Sequence, residues 1–156
     1  MTVRLNPVAA APALMKELYD SSVSLTSKAD PILAELVKIR ASQINGCANC
    51  INMHTYMARH SGETEQRINL VAAWRDAPCY SDRERAALGW AEALTRLSEA
   101  HTHVEAYEEL KKHFSDEEQV VLTMTIIVIN GWNRIAVGFG GWADPAALKA
   151  QAAAAA

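Results

Sequence analysis

Three cysteines in 156 residues are too few, and odd in number, for a secreted disulfide framework. A chain of this length buries about two-thirds of its unfolded surface and needs no such staples. A reducing, cytoplasmic setting is the expectation. No excess of basic charge is present either. The formal net charge is −3 and the pI near 5.9, so nothing electrostatic calls for nucleic acid or an anionic membrane as partner. The longest apolar run, "VVLTMTIIVI" from Val120 to Ile129, is far short of the roughly 20 residues of a membrane span. The start "MTVRLNPVAAAPALMK" is broken by Pro7 and Pro12 and makes a poor signal peptide. There is no linker rich in Gly, Ser or Pro and no repeat, which leaves one domain over residues 1–156.

What is present is helical punctuation. "DPILAELVKIRASQING" opens on Asp30 as N-cap with Pro31 at the first helical position and closes on "NG". "CANCINMHTYMARHSG" follows at once and ends at Gly62. "ETEQRINLVAAWRDAP" sets Ile68, Val71 and Ala72 on one stripe. Three capping boxes mark further helix starts: Ser81 with Glu84, Thr102 with Glu105, and Ser115 with Glu118. The helix after Ser115 is apolar nearly all round in its first half and is expected to be the central buried helix. The closing "DPAALKAQAAAAA" starts again with Asp and Pro, and so short a helix needs its own core or a neighbouring subunit to hold it. The expected fold is all-α, with seven or eight helices.

Chemistry concentrates in "INGCANCINMHTYMARHSG". Cys47 and Cys50 are three apart and His54 follows four residues later. If a helix begins near Ala48, Cys50 and His54 share a face, one turn apart. Cys47 falls at the helix mouth, where free N–H groups and the dipole favour a thiolate. An ordinary thiol is only about 3% ionised at pH 7, and lowering its pKa by two units takes roughly 2.7 kcal/mol. On the preceding helix, Glu35 sits at the edge of the stripe formed by Ile32, Leu33, Leu36, Val37, Ile39 and Ile44. A partly buried carboxylate there needs a partner or a proton, and His54 is a natural partner. The pair could be a redox centre or half of a zinc site completed by Glu35 and His54. The usual second Cys or His pair of a zinc site is absent, and Ile51 in place of His after Cys50 excludes haem attachment.

Glu35, eleven residues, Cys47, Cys50 and then His54 reproduce the signature Glu-x11-Cys-x-x-Cys-x-x-x-His. In this the chain resembles the alkylhydroperoxidase AhpD-like proteins of the carboxymuconolactone decarboxylase superfamily, most closely over residues 32–62. Asn49 stands where some members carry a second His. The resemblance implies a peroxidase cycle with catalytic residues Cys50, Cys47, His54 and Glu35, and neither metal nor cofactor. Cys50 attacks a hydroperoxide and becomes a sulfenic acid; Cys47 condenses with it to a disulfide. Glu35 and His54 relay protons, and an external dithiol, such as one borne by a lipoyl protein, resets the pair. Decarboxylating relatives lack the cysteine pair. The family also implies a homo-oligomer, trimer or hexamer. Cys79 reads as a small apolar residue, the remaining histidines as helix-end features, and Trp132, Asn133 and Arg134 as packing or subunit contacts.

Overall fold

The computed structural model describes residues 3–99 and 101–142. Eight α-helices and no strand are found among them. The helices are α1 (Pro7–Ala10), α2 (Pro12–Thr26), α3 (Pro31–Ile44), α4 (Ala48–His60), α5 (Glu65–Leu70), α6 (Asp82–Thr95), α7 (His103–Leu110) and α8 (Asp116–Phe139). The helix expected from "DPAALKAQAAAAA" lies outside the described residues.

The local signals explain most boundaries. Asp30 accepts the Leu33 N–H at 2.8 Å and Pro31 opens α3. Ser81 and Ser115 form complete capping boxes with Glu84 and Glu118 at the heads of α6 and α8. Thr102 does not: its side chain makes no capping bond, and its backbone (φ −93°, ψ 8°) is not the extended conformation that aims a cap oxygen at the helix. The third stripe also differs from expectation. α5 tightens into a 3-10 turn at Val71–Ala73, so Ile68 and Val71 are buried while Ala72 faces solvent.

The centre of the molecule is α3 rather than α8. Leu36, Val37, Ile39 and Ala41 are fully buried, and no residue of α3 after Pro31 is exposed. Each large apolar side chain so buried stabilises the fold by about 1.5–3 kcal/mol. Leu33 and Val37 pack with Ala86, Ala87 and Ala91 of α6 and Leu122 and Ile126 of α8. Leu36 and Ile39 pack on another side with Ala58, Ile68, Val71, Trp74 and Leu88. The alanines of α6 let it approach α3 closely.

α8 buries one side only, through Leu122, Thr125, Ile126, Ile129 and Asn133, and leaves Val120, Ile127 and Val137 exposed. By length and composition it could cross a membrane. Its polar inward residues, Thr125 and Asn133, face α3 within this bundle. α2 lies against α8 with Leu14, Leu18, Tyr19, Val23 and Leu25 exposed.

Candidate active site

The site is built where α3 turns into α4. Asn45 caps α3, and Gly46 takes the left-handed conformation at φ 65°. The Cys47 N–H then reaches back to the Ser42 carbonyl at 2.9 Å, and the Gly46 N–H to Gln43 at 3.3 Å. This 6→1 and 5→2 pattern is a Schellman ending, for which a left-handed residue is required. It delivers Cys47 as the N-cap of α4, with its Sγ accepting the Cys50 N–H at 3.3 Å. Cys47 and Cys50 are joined in a disulfide, their Cα atoms 5.3 Å apart.

Both cysteines are buried, at 1% and 2% exposure, against Ala41 and Ile129. The spacing puts Cys47 at the helix mouth, as found, but this mouth is not open to solvent. The α8 side chains close over the turn and cover it. A cavity of about 160 Å³ opens beside it, lined by Arg4, Gly46, Cys47, Ala136, Val137 and Gly141 among others. Cys50 does not line it.

One turn past Cys50, His54 is buried and its Nδ1 lies 2.8 Å from Glu35 Oε2. Glu35 is 8% exposed and so buried rather than only partly buried. Its other oxygen, Oε1, accepts Lys38 Nζ at 2.8 Å. Burial pushes the Glu35 carboxyl up, but the hydrogen bond and charge of His54 and the ammonium of Lys38 outweigh it and hold the group at about 2. Glu35 is therefore a carboxylate at neutral pH. With Glu35 bonded at Nδ1, Nε2 is the ring nitrogen left to exchange a proton with another partner.

A polar lattice ties this corner to α8. Asn45 Nδ2 donates to Asn130 Oδ1 (2.9 Å) and Asn133 Oδ1 (2.8 Å), and Asn133 Nδ2 donates to Ser42 Oγ at 3.0 Å. Asn133 is 1% exposed, and it fixes the last turn of α3 from which Cys47 hangs. Lys38 and this Ser42–Asn45–Asn133 set were not singled out from sequence as parts of the site. Lys38 carried a readable signal, three residues beyond Glu35 on one helix. The Asn–Ser contacts join positions about 90 apart in sequence and carried none.

The remaining candidates fall elsewhere. Cys79 is a free, half-buried thiol beside the Ile68–Trp74 cluster. His60 stacks on Tyr56 with ring centroids 4.1 Å apart, and His113 lies 3.3 Å from Glu109. Trp132 donates to Ser22 Oγ on α2 at 3.0 Å. Among the described residues no group of three or more His, Cys, Asp or Glu is arranged to hold a metal ion.

Residues 9–93 match the model of the carboxymuconolactone decarboxylase family. The chain belongs to that family. Its AhpD-like branch is indicated by a protein of unknown function from Agrobacterium tumefaciens, ATU0492, described as a candidate antioxidant defence protein AhpD. The two are 43% identical, with a TM-score of 0.87, over 92% of this chain and 99% of that one. An AhpD-core, peroxidase-related protein from Ralstonia eutropha JMP134 shares the fold at 21% identity, with a TM-score of 0.76 over 90% of this chain and 76% of the other. The uncharacterized protein YdfG of Bacillus subtilis (strain 168) is 40% identical over 147 residues, 90% of this family member and 96% of YdfG.

Proposed function

We propose that this protein is a thiol-dependent peroxidase that reduces hydroperoxides through Cys47 and Cys50. The observation carrying this reading is the continuous set Lys38–Glu35–His54 ending one turn from a cysteine pair close enough to be disulfide-bonded. In the reduced protein, His54 takes the proton of Cys50. The thiolate attacks the terminal peroxide oxygen, the O–O bond breaks, and the alkoxide leaves with the proton returned through His54. Cys50 is then a sulfenic acid. The Cys47 sulfur attacks it, water departs, and the disulfide forms. Glu35 holds the Nδ1 proton and so keeps the Nε2 atom basic. An external dithiol completes the cycle. The description of the Agrobacterium tumefaciens relative as an antioxidant defence protein AhpD supports the same class of chemistry.

The acting form is a homo-oligomer, trimer or hexamer. Val23 and Leu25 on α2 and Ile127 and Val137 on α8 are exposed by about half in the single chain, an apolar surface suited to a second copy. A cytoplasmic location fits a pair that must be re-reduced in each turnover.

Hydroperoxide consumption by the purified protein with a dithiol donor tests the reading. Turnover of organic hydroperoxide that is lost in Cys50→Ser is the expected result. Disulfide exchange with the dithiol but no peroxide consumption would make the protein a thiol–disulfide oxidoreductase or redox sensor.

A further inference from the structure

We infer that the cavity over Cys47 is the docking site of the reductant, and that Arg4 at its rim selects a dithiol carrying negative charge near its sulfur atoms. The inference rests on the redox reading above and names the partner of that same disulfide.

Access comes first. In this oxidised form Cys50 is covered, and Cys47, not Cys50, lines the cavity of about 160 Å³. The oxidised protein is the form a reductant must meet. An incoming thiolate therefore attacks Cys47 Sγ and forms a mixed disulfide. The Cys47–Cys50 bond breaks, and its electron pair leaves on Cys50, which takes a proton one turn from His54. The second thiol of the same dithiol then attacks its own sulfur in the mixed disulfide and releases Cys47 as thiolate. The dithiol departs as a disulfide, oxidised by two electrons, and the protein has gained those two electrons.

Charge comes second. The rim opposite Cys47 is the last turn of α8, whose terminal carbonyls present the negative end of the helix dipole. Arg4 covers that end. Its backbone N–H bonds the Phe139 carbonyl at 2.9 Å, and its Nη1 donates to the carbonyls of Val137 (2.9 Å) and Gly138 (3.0 Å). These bonds fix a cation at the edge of the cavity while the residue stays exposed to solvent. The chain as a whole has a formal charge of −3, so a preference for an anionic reductant would have to arise locally. A rim cation acts on an incoming thiolate, and on a carboxylate borne a few carbons from it, mostly through the rate of encounter.

Dihydrolipoate and dihydrolipoamide share one dithiol and differ by a carboxylate, which makes them the probes. Second-order rate constants for reduction of the Cys47–Cys50 disulfide in the full-length protein are measured with each at pH 7. The wild type should favour the anion. In Arg4→Gln the anion-to-amide ratio should fall roughly 5- to 10-fold, and Arg4→Lys should restore most of it. Raising the salt from 0.02 to 0.5 M should erode the wild-type ratio, since the Debye length falls well below 10 Å. An unchanged ratio in Arg4→Gln would overturn the assignment. So would an equal fall in both rate constants, which would make Arg4 only the clasp of the α8 terminus. If neither dithiol reduces the wild-type disulfide, the redox reading itself is wrong and the inference falls with it.

Discussion

Glu35→Gln separates the charge of the buried carboxylate from its shape. In the folded protein the Glu35 carboxyl is held at about 2, against an ordinary value of 4.5. Folding therefore favours the ionised form, and this contribution is complete well above pH 4.5 and is lost as pH falls toward 2. The shift is worth about 3 kcal/mol when fully expressed. Linkage gives about 2 kcal/mol of it lost between pH 7 and pH 3, and about 3 kcal/mol lost by pH 2. Other carboxylates with lowered values, Glu84 and Glu92 among them, titrate in both proteins and cancel in the difference. Urea unfolding of wild type and Glu35→Gln at fixed protein concentration, at pH 7, 5, 4 and 3, reads that difference. The wild type should be the more stable at pH 7, and the two curves should converge by about 2 kcal/mol on going to pH 3. Parallel curves would mean that neither His54 nor Lys38 stabilises the ionised carboxylate, and the relay would lose its basis. Peroxide turnover in the same variant should drop about 10²-fold between pH 6 and 8, the usual loss for a missing general acid–base partner.

The two cysteines should fail differently. Cys50→Ser should not react with peroxide, whereas Cys47→Ser should react once and give sulfenic, then sulfinic acid on Cys50, read by intact mass. Gly46→Ala puts a Cβ into open space but keeps φ at 65°, so it should cost about 1–2 kcal/mol in thermal or urea unfolding through backbone strain alone. A cost near zero would mean that the Schellman ending is not held. Light scattering should give a mass several times 17.0 kDa for the wild type and a smaller assembly for a Val23→Glu, Ile127→Glu double variant. A wild-type mass of 17.0 kDa at micromolar concentration would remove the oligomer.

Local chemistry made much of this legible in advance. The Asp30–Pro31 start, the Ser81 and Ser115 boxes and the "NG" ending are each written within four residues, and α3, α6 and α8 begin where those signals stand. The Glu35–His54 bond was also readable, because a buried carboxylate and an adjacent helix bearing His leave few other partners. Burial order was not. α8 is the more apolar helix, but hydropathy does not say which apolar face another element covers, and the bundle closes around α3 instead. The covering of Cys47 depends on Ile129 and Ala136 from some 80 residues away, and the Asn45–Asn133 bond spans 88 positions. Such contacts are set by the packing of whole helices, which no short spacing encodes.

Reduced wild-type protein mixed with one equivalent of organic hydroperoxide, quenched by alkylation and mapped by peptide mass spectrometry, tests the central claim most directly. The expected product is one Cys47–Cys50 disulfide per chain and one equivalent of alcohol, with Cys79 fully alkylated. Unreacted peroxide with all three thiols alkylated, or oxidation confined to Cys79, would contradict the assignment of peroxide chemistry to this pair.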